Sequence, residues 1–306
     1  MTLLANLLAI HIDIDPEITE IGPFLLTWHG FFTAVGIVAG VYLAARLSRV
    51  KGIPTDEIYN AAMPVVFGGI VGARALFVIE NLDDFQSDPL EIFALTEGGI
   101  SVLGALLGGS LAVWLYVIFA GLPWARVADI AVPAVIFGFS IGRIGDIING
   151  EHIGSQSSLP WATVYEHPDS PAFLLPSHHP AVAYEMILGL LLTAGLLYMI
   201  YRMAWLRDGW VAVVGIALYC CIRIFEGFFR GMEVFGEHFG DEDVFLGLKV
   251  SQLVSILVLV GLIPIAYKLM TTDAPDYEVP ERLVRQPSRA QRRRAERRAA
   301  TRKTQS

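Results

Sequence analysis

The sequence predicts an all-α, polytopic membrane protein with seven transmembrane helices. Three observations carry that prediction. Of 306 residues, 54% are hydrophobic and only 17% are charged, whereas an ordinary soluble domain is about 25% charged. The mean hydropathy is +0.55. Seven separate apolar stretches reach the roughly 20 residues that a helix needs to cross a bilayer. These figures argue against a soluble enzyme and exclude a disordered chain or a disulfide scaffold. The only cysteines, Cys220 and Cys221, are neighbours inside an apolar run and read as buried thiols.

Taken in order, the expected spans are 24–45, 60–80, 99–120, 129–148, 181–201, 210–230 and 247–267. Glycines recur within them, as at Gly68, Gly69, Gly104, Gly108 and Gly109, at spacings that let helix backbones approach closely in lipid. The connections between spans alternate in charge. Segments 1–23, 81–97, 150–178 and 231–246 contain no Lys or Arg. The alternate connections carry Arg46, Arg49 and Lys51, then Arg126, then Arg202 and Arg207, then Lys268. Positive residues mark the cytoplasmic side, so the N-terminus is expected outside and the C-terminus inside. An odd number of spans requires the same. The N-terminus has no basic n-region, so a cleaved signal peptide is not expected.

Two regions follow. Residues 1–270 form the seven-helix domain, with a small extracytoplasmic cap at about 149–178. Residues 271–306 form a basic, flexible cytoplasmic tail. Within it, residues 281–306 hold ten Lys/Arg against Glu281 and Glu296, a charge of +8, leaving −16 on the other 280 residues out of the total of −8. Attraction to anionic headgroups accounts for such a tail better than nucleic-acid binding does.

Charges inside spans are expensive and mark functional candidates. Arg74 lies in the second span. Arg143 and Asp146 lie near the end of the fourth, followed by Asn149 and Glu151. Tyr184 and Glu185 open the fifth, after His179 and Pro180. Arg223, Glu226 and Arg230 share one face of the sixth, three and four residues apart. Trp28 and His29 open the first. The charge alternation puts most of these in the outer half of the bilayer. The arginines outnumber the acids placed near them, so a bound anion is expected, and the guanidinium fork matches phosphate. A phospholipid headgroup is the obvious anion at that depth. Metal-site spacings, a nucleophile elbow and a phosphate-binding Gly loop are not evident in the sequence, and His152 and His167 read as ordinary loop residues.

The run Gly142-Arg143-Ile144-Gly145-Asp146-Ile147-Ile148-Asn149-Gly150-Glu151-His152-Ile153-Gly154 resembles the signature G-R-x-G-N-x-x-N-x-E-x-x-G of the prolipoprotein diacylglyceryl transferases. Further likeness lies in Trp28-His29-Gly30, Gly72-Ala73-Arg74, Leu159-Pro160-Trp161, His179-Pro180 with Tyr184-Glu185, Tyr219 with Arg223 and Arg230, and Ser251-Gln252. Together these cover about residues 20–268. The resemblance implies a bacterial, multi-pass cell-membrane enzyme without metal or cofactor. Such an enzyme moves the diacylglyceryl group of phosphatidylglycerol onto the lipobox cysteine thiol of a preprolipoprotein, whose signal peptide is its protein partner. A thioether forms and glycerol 1-phosphate leaves. The candidate catalytic residues are His29, which departs from the family pattern, with Arg143 and Arg223 for the leaving phosphate. The implied phosphatidylglycerol-binding set is Arg74, Arg143, Asp146, Asn149, Glu151, Gly154, Tyr219, Arg223 and Arg230.

The chain departs from that family's pattern at four places. Leu103, in Leu103-Gly104-Ala105 after Glu97-Gly98-Gly99, stands where the family has a catalytic histidine. Asp146 replaces its Asn and His29 its Tyr. Glu226 precedes Gly227, where the family has its acid. Two readings of His29 stay open: a replacement base, or an interfacial residue bonded to headgroups. Asp146 is a second candidate base, weakened by a neighbouring arginine. The alternatives to transfer are a non-catalytic lipid- or lipoprotein-binding paralogue and, on the arginines alone, an anion transporter. No internal repeat supports the last.

Overall fold

A computed structural model describes residues 9–272, except 23, 84, 86–88, 94–98, 100, 204, 235–236 and 240–242. The tail beyond residue 272 and the pair Glu97-Gly98 lie outside the described residues. Among the described residues, seven helices are long and apolar enough to cross a membrane. They are α1 (Trp28–Val50), α2 (Thr55–Glu80), α3 (Val102–Ala120), α4 (Trp124–Asn149), α5 (Ala181–Arg202), α6 (Trp210–Gly227) and α7 (Val250–Thr271).

The ends differ from the expected spans for local reasons. Residues expected to open the first span instead form β3 (Phe24–Thr27), antiparallel to β2 (Glu17–Ile21). Thr27 then caps α1, its hydroxyl accepting from Gly30 N–H at 3.2 Å. α6 stops at Gly227, before Arg230. Beyond it, Phe229 C=O accepts from Ser155 N–H and Gly231 N–H donates to Ile153 C=O, so the chain is drawn off the helix axis.

Glycine sets the closest helix pairs. α1 runs antiparallel to α4, with Gly36 against Gly138 and Gly40 against Ala134; a Cβ on Gly40 would stand 2.9 Å from the Ala134 carbonyl oxygen. α2 and α3 pair in the same way, Gly68 and Gly72 meeting Gly108 and Gly104. α4, α5 and α6 meet where a Cβ on Gly215 would lie 2.7 Å from Val132 and 2.9 Å from Leu196. Gly227 lies against the buried Gln252 of α7, whose amide donates to Ile224 C=O.

At the basic end, Asp129 is fully buried. Its carboxylate accepts from Lys51 Nζ at 2.7 Å and from Gly209 and Ala212 N–H, both at 2.9 Å. Those two amides open α6, so one acid fixes the start of a helix and neutralises a lysine. Asp208 bridges Lys51 and Arg126 there. Burial raises its pKa, but the two cations outweigh burial and hold the carboxyl below its usual range.

At the opposite end, short strands build a cap over the helix ends. β1 (Ile10–Ile12) pairs parallel with β4 (Thr163–Tyr165). Ile153, Tyr165, Ala172, Leu175 and Met232 form its apolar core. Tyr165 Oη donates to Ile147 C=O at 2.6 Å and Ser170 Oγ to Asn149 C=O at 2.8 Å, tying the cap to the last turn of α4. Burial, then the Asp146 charge, push the Tyr165 phenol well above its usual pKa, so it stays a donor. Two hairpins, β5 (Met232–Val234) with β6 (Glu237–Phe239) and β7 (Asp243–Phe245) with β8 (Leu248–Lys249), lead into α7.

Candidate functional site

The intramembrane charges gather where the cap-side ends of α1, α4, α5 and α6 meet. Arg143 binds Asp146 Oδ2 through Nη1 at 2.6 Å and Glu185 Oε2 through Nη2 at 2.9 Å. Arg223 Nη1 binds the same Glu185 oxygen at 2.8 Å and Glu226 Oε2 at 3.0 Å. Arg230 pairs with Glu226 through Nε and reaches Glu185 with Nη2 at 3.4 Å. Tyr219 Oη donates to the other Glu185 oxygen at 2.7 Å. Glu185, Glu226 and Asp146 are all buried.

This corrects the expectation that the arginines outnumber their acids. Glu185 touches three guanidiniums because α5 packs against both α4 and α6, an arrangement invisible in the linear sequence. Glu226 serves two because Arg223 lies one turn before it on α6 and Arg230 returns to it from just beyond the helix end. With Asp146 on Arg143 and Glu151 on His29, the cluster holds four carboxylates and three arginines.

Arg74 takes a different set of partners. Its guanidinium donates to the carbonyls of Ile92 (2.9 Å), Gly99 (2.8 Å) and Glu91 (2.5 Å), and lies over the rings of Phe77 and Phe85. It braces the turn between α2 and α3. Gly154 sits where the cap crosses the strand-like Arg230 segment, against the His179 carbonyl, and leaves no room for a side chain.

His29 faces this cluster from the first turn of α1. Its Nδ1 lies 2.5 Å from Asp146 Oδ1 and 3.3 Å from Glu151 Oε2. The imidazole side chain is 40% exposed, while Asp146 is 3% exposed. Gly145 admits it: a Cβ there would stand 2.5 Å from Trp28 O and 2.6 Å from His29 Cα. Asn149 Nδ2 donates to Glu151 Oε1 at 2.9 Å, which aims the other Glu151 oxygen at His29. His152, read from sequence as a plain loop residue, holds a left-handed backbone (φ 56°) and places Nε2 at 3.9 Å from Asp146 Oδ2. A positive φ at a non-glycine residue is the structural signal that sequence could not supply.

Two spaces adjoin the cluster. A narrow crevice without room for a water molecule is lined by Phe139, Ser140, Arg143, Glu185 and Tyr219. Arg143 Nε is buried without a hydrogen-bond partner among the described residues. An apolar groove of about 430 Å³ opens sideways between α5 and α6, lined by Leu188, Leu192, Leu218, Cys221, Ile222 and Phe225. The same two helices carry Glu185, Tyr219 and Arg223. Guanidiniums, an imidazole–carboxylate pair and a lateral apolar groove suit an anionic amphiphile and a proton transfer.

Comparison with known proteins agrees. The family model described as prolipoprotein diacylglyceryl transferase matches residues 16–267. A phosphatidylglycerol–prolipoprotein diacylglyceryl transferase of Synechococcus elongatus is 32% identical over 247 residues, 80% of this chain and 83% of the relative. The protein of the same name from Gloeobacter violaceus is 32% identical over 200 residues, 64% of this chain and 74% of its own. That of Dehalococcoides mccartyi is 29% identical over 255 residues, 83% of this chain and 93% of the relative.

Proposed function

The chain belongs to the prolipoprotein diacylglyceryl transferase family, and from that premise we propose the roles of its residues in the transfer. The substrates are phosphatidylglycerol and the lipobox cysteine of a preprolipoprotein presented by its signal peptide. The cysteine sulfur attacks the glycerol carbon that carries the phosphate. A C–S bond forms, the C–O bond breaks, and its electron pair goes to the departing glycerol 1-phosphate. The phosphate charge grows by one unit in that step, so groups that bind the dianion better than the diester lower the barrier.

We assign that task to Arg143 and Arg223; the buried Arg143 Nε, without a hydrogen-bond partner among the described residues, is the observation that supports the assignment. The crevice beside it has no room even for water, so a phosphodiester enters only as α5 and α6 part and takes over contacts now made by Glu185. Arg230 and Tyr219 hold Glu185 and Glu226 in place during that exchange. The acyl chains lie in the groove between α5 and α6 and stay within the bilayer. A thiol with an ordinary pKa near ~8.5 must give up its proton. His29 takes it through Nε2, while Asp146 holds Nδ1–H and fixes the tautomer. Its partial exposure lets the thiol arrive from the cap side.

The charge alternation supports an orientation with the cap outside the cytoplasm and the basic end inside, in a bacterial plasma membrane. The test uses full-length protein in vesicles of phosphatidylglycerol with a lipobox peptide, read by the mass of the thioether product. Arg143→Lys keeps one charge but loses the fork and is expected to reduce transfer about a hundredfold. Unchanged transfer in Arg143→Lys and Arg143→Ala would remove the central assignment.

A further inference from the structure

Two carboxylate oxygens converge on one imidazole nitrogen at the entrance of the site. Each acid has its second oxygen tied elsewhere: Asp146 Oδ2 to Arg143 and Glu151 Oε1 to Asn149. The inner oxygens, Asp146 Oδ1 and Glu151 Oε2, then face His29 Nδ1 at 2.5 and 3.3 Å. One N–H proton serves only one of them. A cation of higher charge at that point would serve both.

We propose that His29, Asp146 and Glu151 form a binding site for a zinc-class divalent cation. The three ligand atoms lie within 4.8 Å of one another. Zinc–ligand bonds of about 2.0–2.1 Å at tetrahedral angles place ligand atoms about 3.3 Å apart. The His29–Glu151 separation already has that value, and the His29–Asp146 contact opens by less than about 1 Å to match. An imidazole nitrogen with two carboxylates selects zinc over magnesium, which prefers six oxygens. The held outer oxygens fix both carboxylates in place, as supporting hydrogen bonds do in metal sites. Half-exposed His29 gives the ion a way in.

Such a cation inhibits transfer, and that consequence rests on the proposed role of His29. Metal on Nδ1 leaves the imidazole proton on Nε2, so Nε2 no longer accepts a proton from the thiol. Zinc binding is therefore competitive with the base function and reversible by chelation.

The experiment titrates zinc chloride into the purified full-length protein by calorimetry, with magnesium chloride as a parallel probe. One zinc site of micromolar affinity is expected, with no magnesium site. Glu151→Gln, a partly exposed residue whose loss leaves the helix core intact, weakens zinc at least about tenfold, and His29→Ala does the same. Zinc that raises the melting temperature of the wild type but of neither variant supports the assignment through the folded state itself. No zinc binding, or binding unchanged in both variants, overturns it. A transfer assay run beside the titration separates the two ideas. Zinc-free protein without activity counts against the proposed roles, while the calorimetry still reports on the site. Active protein that zinc at saturation does not inhibit overturns the inhibition.

Discussion

The contact of Gly145 with His29 offers a way to shift the imidazole without touching any charged group. Gly145→Ala adds a Cβ that would stand 2.5 Å from Trp28 O and 2.6 Å from His29 Cα. Ordinary contact begins at about 3.4 Å, so the first turn of α1 must move away from α4 by about 0.9 Å. Both neighbours are backbone and cannot rotate aside. The His29–Asp146 contact is then stretched or tilted by a similar amount, and a misplacement of about 1 Å costs on the order of a hundredfold in rate. Overpacking of this kind costs about 1–3 kcal/mol of stability, too little to unfold a seven-helix protein. The assay is thioether formation per folded molecule, with melting temperature measured on the same preparation. Gly195→Ala is the control, because nothing lies within 4 Å of a Cβ there; it should keep full activity. If Gly145→Ala retains transfer within about twofold, either α1 adapts freely or His29 does not act in the step, and the placement argument fails.

Two other perturbations follow from the same geometry. Glu226→Gln removes a fully buried charge shared by Arg223 and Arg230. Breaking a buried pair from one side costs about 3–5 kcal/mol, so a large fall in thermal stability is expected, and equal melting temperatures would contradict it. In the cap, His178 stacks on Tyr165 at 5.7 Å with its Nδ1 3.0 Å from Pro176 C=O. Burial holds its pKa below the usual value, and burial lowers His179 as well. The unfolded chain then binds more protons, so their stabilisation is complete above about pH 6.5 and is lost as pH falls below it. His178→Gln should flatten the decline in melting temperature between about pH 7 and pH 5; an unaltered slope would show that His178 is not the titrating group.

Much of this was legible because hydropathy is a property of consecutive residues. All seven spans were, and so were the intramembrane charges, since an arginine inside an apolar run is conspicuous wherever its partner lies. What escaped is long-range. Glu185 is visible beside Tyr184, but its simultaneous contact with Arg143, Arg223 and Arg230 depends on α5 packing against both α4 and α6. The count of acids was misjudged for that reason. The cap also escaped in part. β1 pairs with β4 about 150 residues away, and three-residue strands leave no periodicity to read. Arg74 looked like its fellow arginines in sequence, yet the structure gives it carbonyl partners in a turn.

The charge balance of the cluster bears on the proposed proton transfer. Arg143, Arg223 and Arg230 face Asp146, Glu151, Glu185 and Glu226, so with neutral imidazole the cluster carries one excess negative charge. Transfer of the thiol proton to His29 makes it zero. The uncompensated acid is Glu151, 3.3 Å from His29 Nδ1 and 30% exposed on its side chain. At an effective dielectric of about 20 an ion pair at that distance is worth about 5 kcal/mol at most, and exposure of both side chains cuts this to about 1 kcal/mol or less. Glu151→Gln should therefore lower kcat by up to about fivefold with KM for phosphatidylglycerol nearly unchanged, because the acid aids the imidazolium and not the lipid. A variant that instead raises KM at constant kcat would place Glu151 on the headgroup and assign the excess charge to binding.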